Sequence, residues 1–281
     1  MSKHTPTILS IAGSDPYGGA GIQADLKSIH ALGGYALTCI TALTAQNSQG
    51  VTNVVATSAD TLSSQLDTLL QDIKVDAVKI GMLANAELIH VVADKLTQYS
   101  LKNIVLDTVF MSSSGHPLLE ESAIACLKQR LFPKVTVITP NLPEINHLLG
   151  KPFQGVLHEM ESIGNDFFNL GVKALVAKGG HGIETDIVTD VLLRPDHSPL
   201  PFSSPRIKTT HTHGTGCSFS SAIATFLAQG NELTPAVQQA KRQMHQWFSQ
   251  SESLQLNYQS NIAYRKEPLL HWDLGNELSY D

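Results

Sequence analysis

The sequence predicts an α/β protein in which a largely parallel sheet carries helices on both faces. Three observations carry this reading. Short apolar runs alternate with amphipathic stretches at strand–helix spacing, the pattern of βαβ units. The 281 residues and a 42% hydrophobic content are enough for one large core. No repeat, low-complexity tract or linker marks a boundary, so residues 1–281 read as a single domain, with 250–281 as its tail.

The buried strands fall at 7–13 ("TILSIAG"), 35–45, 76–81, 103–109, 134–139 and 173–180. Helical periodicity falls between most of them, at 21–33, 61–73, 85–99, 121–131 and 142–150. The stretch "DIVTDVLLRPDHSPLPFSSPRI" has turn residues between two extended pieces and predicts a hairpin. Helices follow at 215–229 and 233–250.

Composition excludes several classes of function. A net charge of −6 does not suit general nucleic-acid binding, which needs a basic patch. No apolar run is long enough to span a bilayer, and the start lacks the plan of a signal peptide. The three cysteines are far apart, so neither a disulfide framework nor a zinc knuckle is indicated. A reduced, cytoplasmic protein without nucleic-acid or membrane partners is expected.

Ligands of open parallel sheets bind beyond the carboxyl ends of the strands, and the unusual residues of this chain cluster there. After the first strand, Gly18, Gly19 and Gly21 make a loop into a helix that begins just before Asp25. The spacing is not G-x-G-x-x-G, so the dinucleotide fingerprint fails, and a plain glycine turn fits as well. Gln46 and Asn47 end the second strand; such amides bond a heterocycle or a turn backbone. Asp107 and Thr108 end the fourth strand, where a buried acid needs a partner or a ligand cation. Asn141, Pro143 and Glu144 form a near capping box, and Glu144 is also placed to approach a magnesium ion through water. Lys178, beside two glycines, reads as a phosphate contact or a surface turn.

The most informative stretch is "HGTGCSFSSA", starting at His213. Gly214 and Gly216 leave amides unhindered at a helix start, which is an anion site. Thr215 and Ser218 add hydroxyls, and Cys217 sits on the first turn, where a thiolate is favoured. The one Gly-Lys step, Gly150-Lys151, precedes a proline, so no Walker loop exists. His211 and His213 lack the companions of a transition-metal site. Cys39 and Cys126 read as structural.

The order of these motifs is more specific than any one of them. "AGSDPYGGAGIQADLK", "TALTAQNSQGV", "KIGML", "LDTV", "ITPNLPE", "KGGH" and "HGTGCSFSSAIA" together resemble the hydroxymethylpyrimidine/phosphomethylpyrimidine kinase family of thiamine biosynthesis, over about residues 7–245. The resemblance implies a ribokinase-like fold: a three-layer α/β/α sandwich with a mostly parallel central sheet. It implies ATP and Mg2+ as cofactors, a small pyrimidine as substrate, and a homodimer. Cys217 would be the catalytic base, its acidity raised by the helix terminus. Gly214, Thr215, Gly216 and Cys217 would form the anion hole. Gly13, Ala20, Asp25, Gln46, Met82 and Val109 would hold the pyrimidine, with Gln46 on its amino edge. Lys178 and Asn141 would meet ATP, and Asp107 and Glu144 the magnesium ion.

Three departures from the family stand out. Ser112, Ser113 and Ser114 replace a segment that often carries lysine. The tail lacks the usual Gly-rich ending, and it either packs on the body or extends a dimer contact. "KTTHTHGTGC" fits only from about Thr212. A pyridoxal kinase on the same scaffold and a catalytically silent pyrimidine binder are the competing readings.

Overall fold

The structure is a computed structural model that describes residues 4–111, 118–181, 186–259 and 265–271. The serine run at 112–114 lies outside the described residues. Strands β1 (Thr7–Ser14), β2 (Tyr35–Asn47), β3 (Gly50–Ala56), β4 (Ala77–Ile80), β5 (Ile104–Leu106), β6 (Val137–Ile138), β7 (Leu175–Ala177), β8 (Ile187–Leu193) and β9 (Leu200–Pro205) form one sheet. Its order is β3-β2-β1-β4-β5-β6-β7-β8-β9. From β2 to β7 the pairs are parallel, while β3, β8 and β9 join as antiparallel edges.

The helices are α1 (Gly21–Ala31), α2 (Ala59–Asp72), α3 (Ala86–Gln98), α4 (Ala123–Arg130), α5 (Leu142–Leu149), α6 (Met160–Asn169), α7 (Thr215–Ala228) and α8 (Leu233–Gln250). Strand alternation sends side chains to two cores. Leu9, Ile11, Val78 and Ile80 pack against residues of α2 to α6. Ile8, Ala77 and Val105 pack against α1, α7 and α8 on the opposite face. This is the three-layer α/β/α sandwich with a mostly parallel sheet. Crossovers in both directions from β1 produce it. Right-handed connections that run opposite ways across a sheet put their helices on opposite faces.

The predicted strands and helices are present, with shorter strands at β5, β6 and β7. Two elements were not anticipated. Strand β3 is an edge whose residues are mostly exposed, so it carries no apolar period. Helix α6 has Gly164 in its middle, and that glycine admits the Phe168 ring and Leu193.

Helix α7 is buried all round from Ser218 to Leu227. Its small residues let it lie close to the sheet, and their hydroxyls are satisfied inside the protein. Ser218 and Ser220 donate to the carbonyls of Gly214 and Gly216, and Thr225 to that of Ser221. The packing fixes the first turn of α7 over the carboxyl ends of β1, β4 and β5.

Candidate active site

A cavity of about 950 Å³ opens at those strand ends. Its volume suits a nucleotide and a small second substrate together. Gly13, Ala20, Gln46, Met82 and Val109 line one end; Asp107, Asn141, Glu144 and Lys178 line the other. Gly214, Thr215, Gly216 and Cys217 lie between. Asp25 is the predicted residue that does not line the cavity.

Gly214 caps α7 in the left-handed conformation, φ +76°. A side chain there would run into the Gly19 carbonyl, so this position needs glycine for both reasons. The Ser218 amide is the first in the turn to find an intrahelical acceptor, the Gly214 carbonyl at 2.9 Å. The Thr215, Gly216 and Cys217 amides precede it and point out of the helix end, where the dipole favours negative charge. Gly216 keeps this end close to the acid–base pair beneath: a β-carbon there would lie 3.2 Å from Asp107 Oδ2 and 3.4 Å from Lys178 Nζ.

Lys178 donates to Asp107 at 2.9 Å and lies 3.9 Å from Glu144. Its backbone pairs with the strand end at Asn141, which brings the lysine to the cavity wall. Burial opposes the charge on Asp107, but Lys178 and Lys79 outweigh it and hold the carboxyl below its usual range. Burial opposes the Lys178 charge too, and Asp107 and Glu144 keep it on. Glu144 goes the other way: burial, reinforced by Asp107, pushes it up to about 7 against the pull of Lys178. Asn141 and Glu144 complete the expected capping box, with the Asn141 amide on Glu144 at 2.8 Å and the Thr108 hydroxyl at 2.9 Å.

Asp25 sits under the floor, fully buried on α1. It accepts from Lys79 Nζ at 2.7 and 2.8 Å, from Ser221 at 2.8 Å and from Ser10. Its carboxylate is spent on these partners and does not line the cavity. Lys79 does reach the cavity wall. Burial works against its charge, while Asp25, Cys217 and Asp107 keep it on. Sequence reading passed over this lysine because it sits in the middle of an apolar strand. A lysine in a two-sided buried strand is itself the signal, since it requires a buried acid.

Cys217 corrects an expectation. Its thiol is not made more acidic. Burial pushes it up to about 11, Asp25 and Asp107 push the same way, and Lys79 and the Gly21 amide only partly offset them. The helix end supplies amides to the cavity, and half-buried Cys217 lines the same wall.

The substrate end holds residues that the sequence did not single out. Asp15 accepts from the amides of Tyr17, Gly19 and Ala20 and from His213 Nε2. The Tyr17 ring lies against His213, and its hydroxyl bonds Tyr258 of the tail at 2.6 Å. The tail packs on the body. The His213 amide donates to the Glu267 carbonyl, His211 bonds the Pro268 carbonyl at 2.7 Å, and His271 packs tilted against Trp247 and bonds Ser218 on the first turn of α7.

Acids with oxygen donors, two buried ammonium groups and a helix N-terminus around one cavity are the parts of a phosphoryl-transfer site. Comparison with known proteins agrees. A family model described as phosphomethylpyrimidine kinase matches residues 15–262. The hydroxymethylpyrimidine/phosphomethylpyrimidine kinase of Escherichia coli (strain K12) is 42% identical over 250 residues, 89% of this chain and 93% of that protein. The ADP complex of Bacillus subtilis pyridoxal kinase superposes with a TM-score of 0.83 at 32% identity, covering 95% of this chain and 98% of the other. Phosphomethylpyrimidine kinase from Clostridium difficile 630 gives 0.75 at 36% identity, covering 86% and 99%. The fold is ribokinase-like, and the chain belongs to the phosphomethylpyrimidine kinase family.

Proposed function

We propose that this protein transfers the γ-phosphoryl of ATP to the hydroxymethyl group of 4-amino-5-hydroxymethyl-2-methylpyrimidine, then phosphorylates the monophosphate to the pyrophosphate. One observation supports this above the others. Cys217 and the free amides of α7 separate an amide-lined ring pocket at Gln46 from a Lys178–Asp107–Glu144 cluster. An acceptor hydroxyl bound by its ring on one side meets a phosphate chain held on the other.

In this reading the Thr215, Gly216 and Cys217 amides hold the charge that develops on the transferred phosphoryl, where fixed dipoles in a water-poor site act strongly. Lys178 reaches the phosphate oxygens when they draw it from Asp107. Cys217 Sγ takes the hydroxyl proton as the new bond forms. Asp25 acts from below through Lys79, whose ammonium favours the thiolate. Asp107 and Glu144 fit a magnesium ion: a set of oxygens with one or two carboxylates, the rest of the shell left to phosphate and water. The ion would neutralise charge on the phosphates, and Asp107 and Glu144 would hold it. Glu144, raised to about 7 beside a second carboxylate, is a site that a cation relieves.

One kinase domain spanning the chain and a homodimer belong to the same proposal. The single sheet supports the first. Leu43 and Val55, opposite each other on the β2–β3 edge and both 56% exposed, support the second. Sedimentation of wild type and Leu43→Glu tests it. A dimer converted to a monomer is expected, and a monomeric wild type contradicts it.

The function is tested by ATP consumption with the pyrimidine, run beside Cys217→Ala. Wild type is expected to release ADP and form both phosphates. The variant is expected to bind ATP normally and lose about a thousandfold in kcat, the middle of the range for a general base. Near-normal turnover in the variant would remove Cys217 from the mechanism.

A further inference from the structure

The hydrogen-bond chemistry around Gln46 goes beyond the role read from its position. Gln46 Nε2 lies 3.3 Å from His213 Nε2, and Gln46 Oε1 lies 3.3 Å from Thr44 Oγ1. Neither contact works in that sense. His213 Nε2 is 2.8 Å from Asp15 Oδ2. That carboxylate also accepts three backbone amides and is held below its usual range, largely by His213 against the cost of burial. The ring nitrogen facing it therefore carries a hydrogen and has no lone pair for the Gln46 amide group. Thr44 gives its single hydroxyl hydrogen to the Ser14 carbonyl at 2.9 Å, so it can only accept from Gln46. The nitrogen and oxygen of a side-chain amide have the same outline, and their partners decide between them. Turning the amide over removes the donor–donor contact. Gln46 Oε1 then takes the longer arm, 3.3 Å, of a three-centre bond from the one Nε2 hydrogen that His213 gives mainly to Asp15 at 2.8 Å, and Gln46 Nε2 donates to Thr44.

We propose that Asp15 and His213 are positioning residues that fix the Gln46 amide for reading an amidine edge, a ring nitrogen beside an exocyclic amine. In this orientation Oε1 has one lone pair left and Nε2 one hydrogen left, side by side and facing the cavity. A ring N=C–NH2 edge satisfies both in a bidentate pair. A pyridine ring carrying an aldehyde and a phenol offers no such edge. His213 can hold this orientation because it is itself fixed, 4% exposed between Asp15, the Tyr17 ring and the tail. The same carboxylate gathers the Tyr17, Gly19 and Ala20 amides, so the glycine loop and the reading amide share one anchor. The inference rests on the pyrimidine reading above.

The test is a double-mutant cycle on the full chain, read as the calorimetric Kd for 4-amino-5-hydroxymethyl-2-methylpyrimidine. His213→Phe and Gln46→Leu should each weaken binding roughly tenfold, the cost of a lost buried hydrogen bond. The double variant should be no more than about threefold worse than Gln46→Leu alone, because His213 acts through Gln46. His213→Gln, whose amide nitrogen reaches Asp15, should recover binding to within about threefold of wild type. Affinity for MgATP should not change in any of them. Thr44→Val, a smaller change in case His213→Phe does not fold, should weaken pyrimidine binding about threefold. If wild type binds the pyrimidine and the two single losses multiply, His213 does not act through Gln46 and the positioning claim falls while the function stands. If wild type binds pyridoxal and not the pyrimidine, the substrate reading falls and takes the amidine claim with it.

Discussion

Cys217 is a base held in reserve. With its thiol pushed up to about 11, only a small fraction is ionised at neutral pH. If the thiolate accepts the proton, kcat/KM should climb with pH by close to tenfold per unit between about 7 and 9. A pH–rate profile checks this, and a flat profile would assign the proton elsewhere. Lys79 and Asp25 pair with both side chains fully buried. Lys79→Met leaves an unpaired buried carboxylate and should cost about 3–5 kcal/mol in chemical denaturation. Single residues at strand ends and helix starts were well legible in the sequence: Asp107, Glu144, Lys178 and Cys217 all reach the cavity. Asp25 was legible as important but not as buried structure, because its partner lies 54 residues away and no local pattern reveals it. Sequence separation also hid the pairing of Asp15 with His213, which are 198 residues apart.

At the scale of elements, the first turn of α7 carries the site, and its position depends on two backbones touching. Gly214 and Gly19 approach so closely that a methyl group at 214 overlaps the Gly19 carbonyl. Gly214→Ala also puts alanine at positive φ, a cost of about 1–2 kcal/mol. The turn must shift, and kcat should fall about a hundredfold, in the range lost with one anion-hole donor. ADP-release kinetics with an intact circular-dichroism spectrum would check that the loss is local. The paired glycines and hydroxyls of this turn were readable because a buried helix start needs neither. Strand β3 was not readable, since an edge exposed on most positions has no period, and α6 was masked by its central glycine.

Across the whole molecule, the tail links the Gly-rich loop to the first turn of α7. It bonds the Gly-rich loop through Tyr258, the 210–213 segment through Glu267 and Pro268, and the first turn of α7 through His271. Burial, with a smaller push from Lys27, lowers His271 to about 4 from its ordinary 6.5. The unfolded chain therefore binds a proton there that the folded chain refuses. The stability from this group is full above about pH 6.5 and is lost as pH falls from there towards about 4. His271→Phe, which keeps a ring against Trp247, should flatten the acid side of a melting-temperature–pH curve. An unchanged slope would show that the acid loss arises elsewhere. No helix among the described residues is long and apolar enough to cross a membrane. The tail could not be placed from sequence, because it holds on through scattered hydrogen bonds, a tilted ring contact and the buried pair Leu269 and Leu270, with no repeating pattern.

The most direct measurement puts the hydroxymethylpyrimidine and pyridoxal in one vessel at equal concentration with MgATP and the full-length protein, and follows phosphorylated products by mass. Pyrimidine monophosphate is expected first, pyrophosphate after it, and pyridoxal phosphate as a minor product. Pyridoxal phosphate as the leading product would contradict the reading of Gln46 and move the chain's substrate to the other ring.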